Sequence, residues 1–209
     1  MFDKALHPDA DAIDSTIRLP DITAAVFQTY AHWLYHGVLP NRGAQGGGDD
    51  PAGAGTEYAH LAGAYILGEE LGHGTFCDAV LDAIIGLANT KGESGNYAFP
   101  GRSIVRYVYA NTAAGSPIRR FLVDIYVANG TGEWLPEELE GAPPGEFLLQ
   151  LARGLFERDK CADPRSVELC VYHLHKAGEG NCYRSSKREE KKGAEEVEKD
   201  SGSVGKPEE

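Results

Sequence analysis

The sequence has no run of about 18 apolar residues, which is the length a membrane-spanning helix needs, so no such helix is expected. Its first residues are acidic and include no apolar segment of the kind found in secretion signals. We therefore expect a cytoplasmic or nuclear protein. Thiols stay reduced in those compartments, so the four cysteines are expected to be reduced thiols or metal ligands rather than disulfides.

The chain also has few basic residues and lacks two common sequence motifs of enzymes. Its 20 Lys and Arg face 32 Asp and Glu, which gives a net charge of −12. An acidic surface repels phosphate backbones and anionic lipids, so neither nucleic acid nor membrane is an expected partner. No phosphate-binding glycine loop followed by Lys-Ser/Thr occurs, and no GxSxG nucleophile elbow occurs. We expect a protein that is not an enzyme.

The sequence is rich in amphipathic helix patterns. In the first, apolar residues recur at three- and four-residue steps between a cap at Asp21 or Thr23 and a helix end at Gly37. Its expected apolar face consists of Val26, Phe27, Tyr30, Ala31, Leu34 and Tyr35. Further helix patterns follow, one of which opens with Ser116 as N-cap and Pro117 at the first helical position. These patterns predict a mainly α fold with a small β remnant.

Changes in composition along the chain predict its organisation. Residues 1–92 form a first helical domain, interrupted by a glycine-rich loop at 41–55 whose ordering would cost too much conformational entropy. Residues 93–160 form a helical extension. Residues 161–184 form a segment that contains cysteine and histidine. Residues 185–209 are highly charged and poor in branched aliphatic side chains, which predicts a disordered tail.

The stretch CVYHLHKAGEGNC places Cys170, His173, His175 and Cys182 within 13 positions. Two sulfurs and two nitrogens are ligands that tetrahedral zinc prefers, and Cys161 is a fifth candidate. The spacing C-x2-H-x-H-x6-C is not that of a standard zinc finger. Two readings stay open: a zinc site, or a short strand or turn that happens to be rich in these residues. The segment adjoins the charged tail, so we expect little core to support the ligands.

The order of the segments resembles that of fungal BTB/POZ-domain proteins, over about residues 1 to 182. In that family a strand ending in Leu-Pro, here IRLP, precedes a helix that ends in Trp-Leu-Tyr-x-Gly, here residues 33–37. A helix pair, LAGAYILGEELGHGTFCDAVLDAII, follows. The segments YVYANT and GSPIRR then match the helical extension of the fungal members. By this resemblance the chain is the C-terminal part of a BTB/POZ fold that lacks the N-terminal strands and first helix.

The resemblance implies an interaction module. Its expected role is self-association, or an adaptor role in which it binds a cullin scaffold in ubiquitin-ligase assembly. The candidate interaction residues are Phe27, Trp33 and Tyr35, which are expected to divide between core and interface; that all three are core residues stays open. The alternative function is a small metal-binding or regulatory protein that uses the Cys/His segment 161–182.

Overall fold

The computed structural model describes residues 22–40, 51–92, 95–138, 140–157, 163–175 and 182–183. The chain divides into two compact units, Met1–Leu174 and His175–Glu209. The described part of the first unit contains six α-helices: α1 (Ala24–His36), α2 (Pro51–Glu70), α3 (Gly74–Ala88), α4 (Arg102–Asn111), α5 (Pro117–Asn129) and α6 (Gly145–Phe156). Two short 3-10 helices, Gly132–Trp134 and Leu169–Tyr172, complete it. The predicted mainly α class is confirmed.

Strand structure is almost absent from the described residues. A single antiparallel bridge joins Lys91 and Tyr97. The strand predicted from STIRLP lies outside the described residues, as do residues 41–50, Cys161 and the predicted tail at 185–209. None of the described helices is both long and apolar enough to cross a membrane.

The ends of α1 follow the local signals. The Thr23 hydroxyl accepts a hydrogen bond from the Val26 backbone N–H, at 3.3 Å, which satisfies one of the helix's unpaired donors. Gly37 ends the helix with φ of 60°, a left-handed conformation that glycine adopts without steric cost. Its N–H donates to the Trp33 carbonyl at 2.8 Å. The predicted helix is confirmed at both ends.

The predicted apolar face of α1 is wrong for Phe27, Leu34 and Tyr35, whereas Val26 is buried as predicted. The buried residues are Val26, Thr29 and Trp33, while Phe27 is 48% exposed and Tyr35 is 86% exposed. Thr29 can be buried because its hydroxyl bonds to the Ala25 carbonyl and lies 2.9 Å from His60 Nε2. A polar residue with satisfied hydrogen bonds therefore faces the core, and the helix is rotated away from the orientation that hydrophobicity alone predicts.

Helices α2 and α3 form the centre of the core. Only Leu71, Gly72 and His73 separate them, which makes them a helical hairpin, as predicted. Gly72 has φ of 65°, and the His73 N–H donates to the Gly68 carbonyl at 2.9 Å. The largest fully buried side chains of the pair are Tyr58, Tyr65, Leu67, Phe76, Val80, Leu81 and Ile85.

The start of α2 corrects the predicted glycine-rich loop at 41–55. Residues 51–55 are helical and belong to α2. The segment opens with Pro51, and proline is favoured at the first helical position because its missing N–H would have no partner there. The glycines at 53 and 55 lower helix propensity by about 1 kcal/mol each, a cost that tertiary packing of a long helix can offset.

Arg119 connects α4, α5 and α6. It is 5% exposed, and its Nη1 forms a salt bridge of 2.9 Å with Glu146 at the start of α6. Its other donors reach the Thr112 hydroxyl at 2.9 Å, the Thr112 carbonyl, and the Tyr109 carbonyl at 2.8 Å, all at the end of α4. The guanidinium also lies 4.5 Å above the Tyr109 ring. A buried charge is tolerated when its donors are paired in this way.

The close approach of α2 to α3 predicts a specific effect of a methyl group. In Gly68→Ala the added Cβ would lie 2.6 Å from Cys77 Sγ and 2.9 Å from Phe76 Cδ1, so these buried side chains or the helix that carries them would have to shift. We expect the free energy of unfolding to fall by about 1–3 kcal/mol. Urea unfolding of the variant measures it.

Gly86→Ala is the matched control, because it makes the same change inside α3. No atom lies within 4 Å of its added Cβ. Alanine there should raise the free energy of unfolding by about 0.5–1 kcal/mol through helix propensity. Equal effects at both positions would contradict close packing at Gly68.

Candidate metal centre

The 3-10 helix Leu169–Tyr172 carries the first predicted ligand and leads directly to the second. Its turns are closed by the Val171 N–H on the Glu168 carbonyl, at 3.0 Å, and the His173 N–H on the Cys170 carbonyl, at 3.3 Å. Residues three apart in a 3-10 turn lie on the same side. The spacing C-x2-H therefore brings Cys170 and His173 to one side of this segment.

Tyr172 attaches the 3-10 helix to α5. Its hydroxyl donates to Asp124 Oδ2 at 2.9 Å, and its ring meets Phe121 edge-on, with the centroids 5.8 Å apart. The Arg120 guanidinium lies 5.1 Å above the same ring. Burial raises the pKa of the Tyr172 phenol and of the Asp124 carboxyl above their ordinary values. The phenol therefore stays protonated and keeps its role as donor.

Two carboxylates of α3 hold the other side of the segment. Asp82 Oδ1 lies 2.9 Å from His173 Nε2, and Asp78 Oδ1 accepts the Leu174 backbone N–H at 2.7 Å. The side chain of His173 is 0% exposed and that of Asp82 is 6% exposed. The expectation of little core around these ligands is wrong, because α3 and α5 both contact the segment.

The contact with Asp82 determines how His173 can bind a metal. A carboxylate only accepts hydrogen bonds, so Nε2 must carry the proton that it shares with Asp82. The other ring nitrogen, Nδ1, then presents a lone pair, as a metal-bound imidazole requires. A metal bound by a neutral His173 in this arrangement would therefore lie on Nδ1.

His175 and Cys182 belong to the second unit, where His175 is half-buried and Cys182 is 8% exposed. Cys170, His173, His175 and Cys182 are all residues that could hold a metal ion. Cys170 and Cys182 are thiols rather than halves of a disulfide. Two sulfurs and two imidazole nitrogens fit zinc in charge, softness and number.

Cys77 does not belong to this group. It is 1% exposed inside the α2–α3 hairpin, where its Sγ lies 3.7 Å from the Tyr65 carbonyl. Burial raises the pKa of its thiol to about 12, so it stays protonated at neutral pH. A thiol in that state is neither a metal ligand nor a nucleophile.

The candidate interaction residues divide as follows. Trp33 is 7% exposed and packs against Phe76, with the ring centroids 5.9 Å apart, so it is a core residue and not part of a surface. Phe27 and Tyr35 are exposed on α1. Leu34, at 56% exposure, extends their apolar surface.

Two residues that contact the segment of the candidate ligands, Asp78 and Asp82, are absent from the sequence predictions. Asp78 and Asp82 are four apart within an otherwise apolar helix, and both are buried. The signal that could have found them is their position: they fall among Cys77, Val80, Leu81, Ile84 and Ile85, where a solvent-facing acid is not expected. Buried carboxylates need partners, so such a pair points to donors supplied from elsewhere in the chain.

Comparison of the chain with protein-family models, with curated proteins and with solved structures found no match. The similarity to BTB/POZ proteins stays a prediction from the sequence, and the proposals below rest on the geometry of the described residues.

Proposed function

We propose that the chain binds one zinc ion through Cys170, His173, His175 and Cys182. The observation that carries this proposal is the hydrogen bond between His173 Nε2 and Asp82, which fixes the orientation of a buried imidazole. Cys170 lies on the same side of the 3-10 turn, and the remaining two candidates follow within the next nine residues.

The ligand set favours a structural role for the metal. Four protein ligands fill a tetrahedral zinc ion and leave no position for water or substrate, whereas catalytic zinc sites keep one position open. Two of the apolar side chains between Cys170 and Cys182, Val171 and Leu174, are 44% and 47% exposed and contribute little to a core. In a segment of this kind, metal binding supplies folding free energy that a hydrophobic core does not.

Metal analysis tests the zinc site directly. The full chain purified without chelator should contain about one equivalent of zinc, and the double variant Cys170→Ser/Cys182→Ser should contain none, because it loses both thiolates. Inductively coupled plasma mass spectrometry measures the ratio.

Cys77→Ala is the control for the loss of a cysteine elsewhere. Its thiol is buried in the α2–α3 hairpin, so zinc content should stay at about one equivalent. Purified wild-type chain that neither contains zinc nor takes it up on addition would overturn the proposal, as would a double variant that retains it.

A second function is favoured by the exposed apolar face of α1. Phe27, Leu34 and Tyr35 are 48%, 56% and 86% exposed, and positions seven and eight apart lie on one side of a helix. The 13 residues of α1 include no Asp, Glu, Lys or Arg. Depletion of charge together with exposed aromatic side chains is the composition found at the centre of protein interfaces.

We propose that a second copy of the chain covers this face. With a net charge of −12 each, two copies repel each other across most of their surfaces. The uncharged α1 face is a place where they can meet without like-charge contacts, with the same helix contributed by each copy. Self-association is also what the resemblance to BTB/POZ proteins implies. The adaptor role on a cullin scaffold is the competing use of the same face.

Sedimentation velocity over a range of concentrations tests self-association. The wild-type chain should dimerise, and Phe27→Ser/Tyr35→Ser should raise the dimer dissociation constant by about tenfold or more, because large aromatic contacts dominate interface energies. Both side chains are exposed, so the fold should survive the change.

Phe156→Ser is the matched control, since Phe156 is 90% exposed on α6. It should leave the dimer unchanged. A wild-type chain that is monomeric at all concentrations would contradict self-association, and binding of a purified cullin N-terminal domain by that monomer would assign the face to the scaffold instead. Equal weakening by the control would place the interface elsewhere.

A further inference from the structure

Helix α3 directs two buried acids at the segment that carries Cys170 and His173. Asp78 and Asp82 are 3% and 9% exposed, and positions four apart lie on the same side of the helix. One accepts a backbone N–H from Leu174, and the other contacts the ring of His173. Both contacts lie within the first unit.

We propose that Asp82 is the positioning residue of the zinc site: its carboxylate holds His173 in the tautomer and orientation that present Nδ1 to the metal. This inference rests on the proposed zinc site. It adds to that site a residue 88 positions before the first ligand in the sequence.

The chemistry of the pair supports this role. A metal-bound histidine usually donates its second N–H to a carboxylate, which fixes the ring and makes the ligand nitrogen more basic. Here the donor–acceptor distance is 2.9 Å, and both side chains are shielded from water. In such surroundings a hydrogen bond to a charged acceptor is stronger than at the surface, so the ring has one strongly preferred orientation.

The role of Asp78 differs from that of Asp82. It accepts the backbone N–H of Leu174, so it fixes the path of the chain directly after His173. Asp82 thus holds the side chain of His173, and Asp78 holds the backbone of the next residue, Leu174. The separation of these roles makes it possible to test Asp82 alone.

The test compares zinc affinities of the full chain by competition with a chromophoric chelator. Asp82→Asn keeps the shape and an oxygen acceptor but removes the charge, and we expect zinc to bind about tenfold to a hundredfold more weakly. Asp82→Ala removes the acceptor altogether and should weaken binding further.

Asp124→Asn is the control, because Asp124 holds the same segment through the Tyr172 hydroxyl and contacts no candidate ligand in the described contacts. It should leave zinc affinity within about twofold of wild type, even if it lowers the stability of the fold. If Asp124→Asn weakens zinc as much as Asp82→Asn does, Asp82 acts only by docking the segment, and the inference is wrong.

A spectroscopic readout separates orientation from stability. In a long-range proton–nitrogen correlation spectrum of the zinc-loaded wild-type chain, His173 should carry its proton on Nε2 and its metal on Nδ1. Metal on Nε2 would overturn the inference even if all affinities behaved as expected.

The outcomes distinguish this inference from the proposed function. A wild-type chain that binds no zinc refutes the zinc site itself. A wild-type chain that binds one zinc ion, together with an Asp82→Asn variant of equal affinity, keeps the zinc site and refutes the role of Asp82 alone.

Discussion

The hydrogen bond between His173 and Asp82 is the contact on which the arrangement of the ligand segment, the part of the chain that carries Cys170 and His173, depends. Both side chains are nearly inaccessible to water. Transfer of an isolated carboxylate into such surroundings is strongly unfavourable, so Asp82 would not be buried there without a donor. The donor comes from a residue 91 positions later, which means that the fold of α3 and the placement of the ligand segment are coupled. The requirement to satisfy one buried acid therefore fixes the orientation of one imidazole.

The helical core provides a rigid frame for that contact. Helix α3 packs against α2 without room for a Cβ at Gly68, and its own residues Phe76, Leu81 and Ile85 are buried. On the other side of the segment, Tyr172 bonds to Asp124 of α5. The segment that carries Cys170 and His173 is thus held by polar contacts with two helices. Such contacts are directional, and they determine geometry more sharply than an apolar contact of similar area.

How much the sequence could predict depends on the range of the interaction involved. Helix ends are local, and Thr23 and Gly37 lie where a side-chain cap and glycine's backbone freedom predict. Ser116 precedes α5 as predicted, but its hydroxyl bonds to Glu69, at 2.5 Å, instead of capping the helix. The buried face of α1 depends on Thr29 meeting His60, and the ligand geometry depends on Asp82 meeting His173. Partners 31 and 91 positions apart leave no trace in helical periodicity.

Helix α3 serves both proposed functions, through different residues. Phe76 contacts Trp33 and thereby supports α1, whereas Asp82 contacts the ligand segment. Phe76 and Asp82 are six positions apart, which corresponds to about 9 Å along a helix. Changes at that distance with no shared partner usually have additive effects on stability. Variants on the exposed face of α1 and variants of the ligand segment should therefore affect separate properties of the chain. An energetic coupling between them would have to pass through the packing of α3 itself.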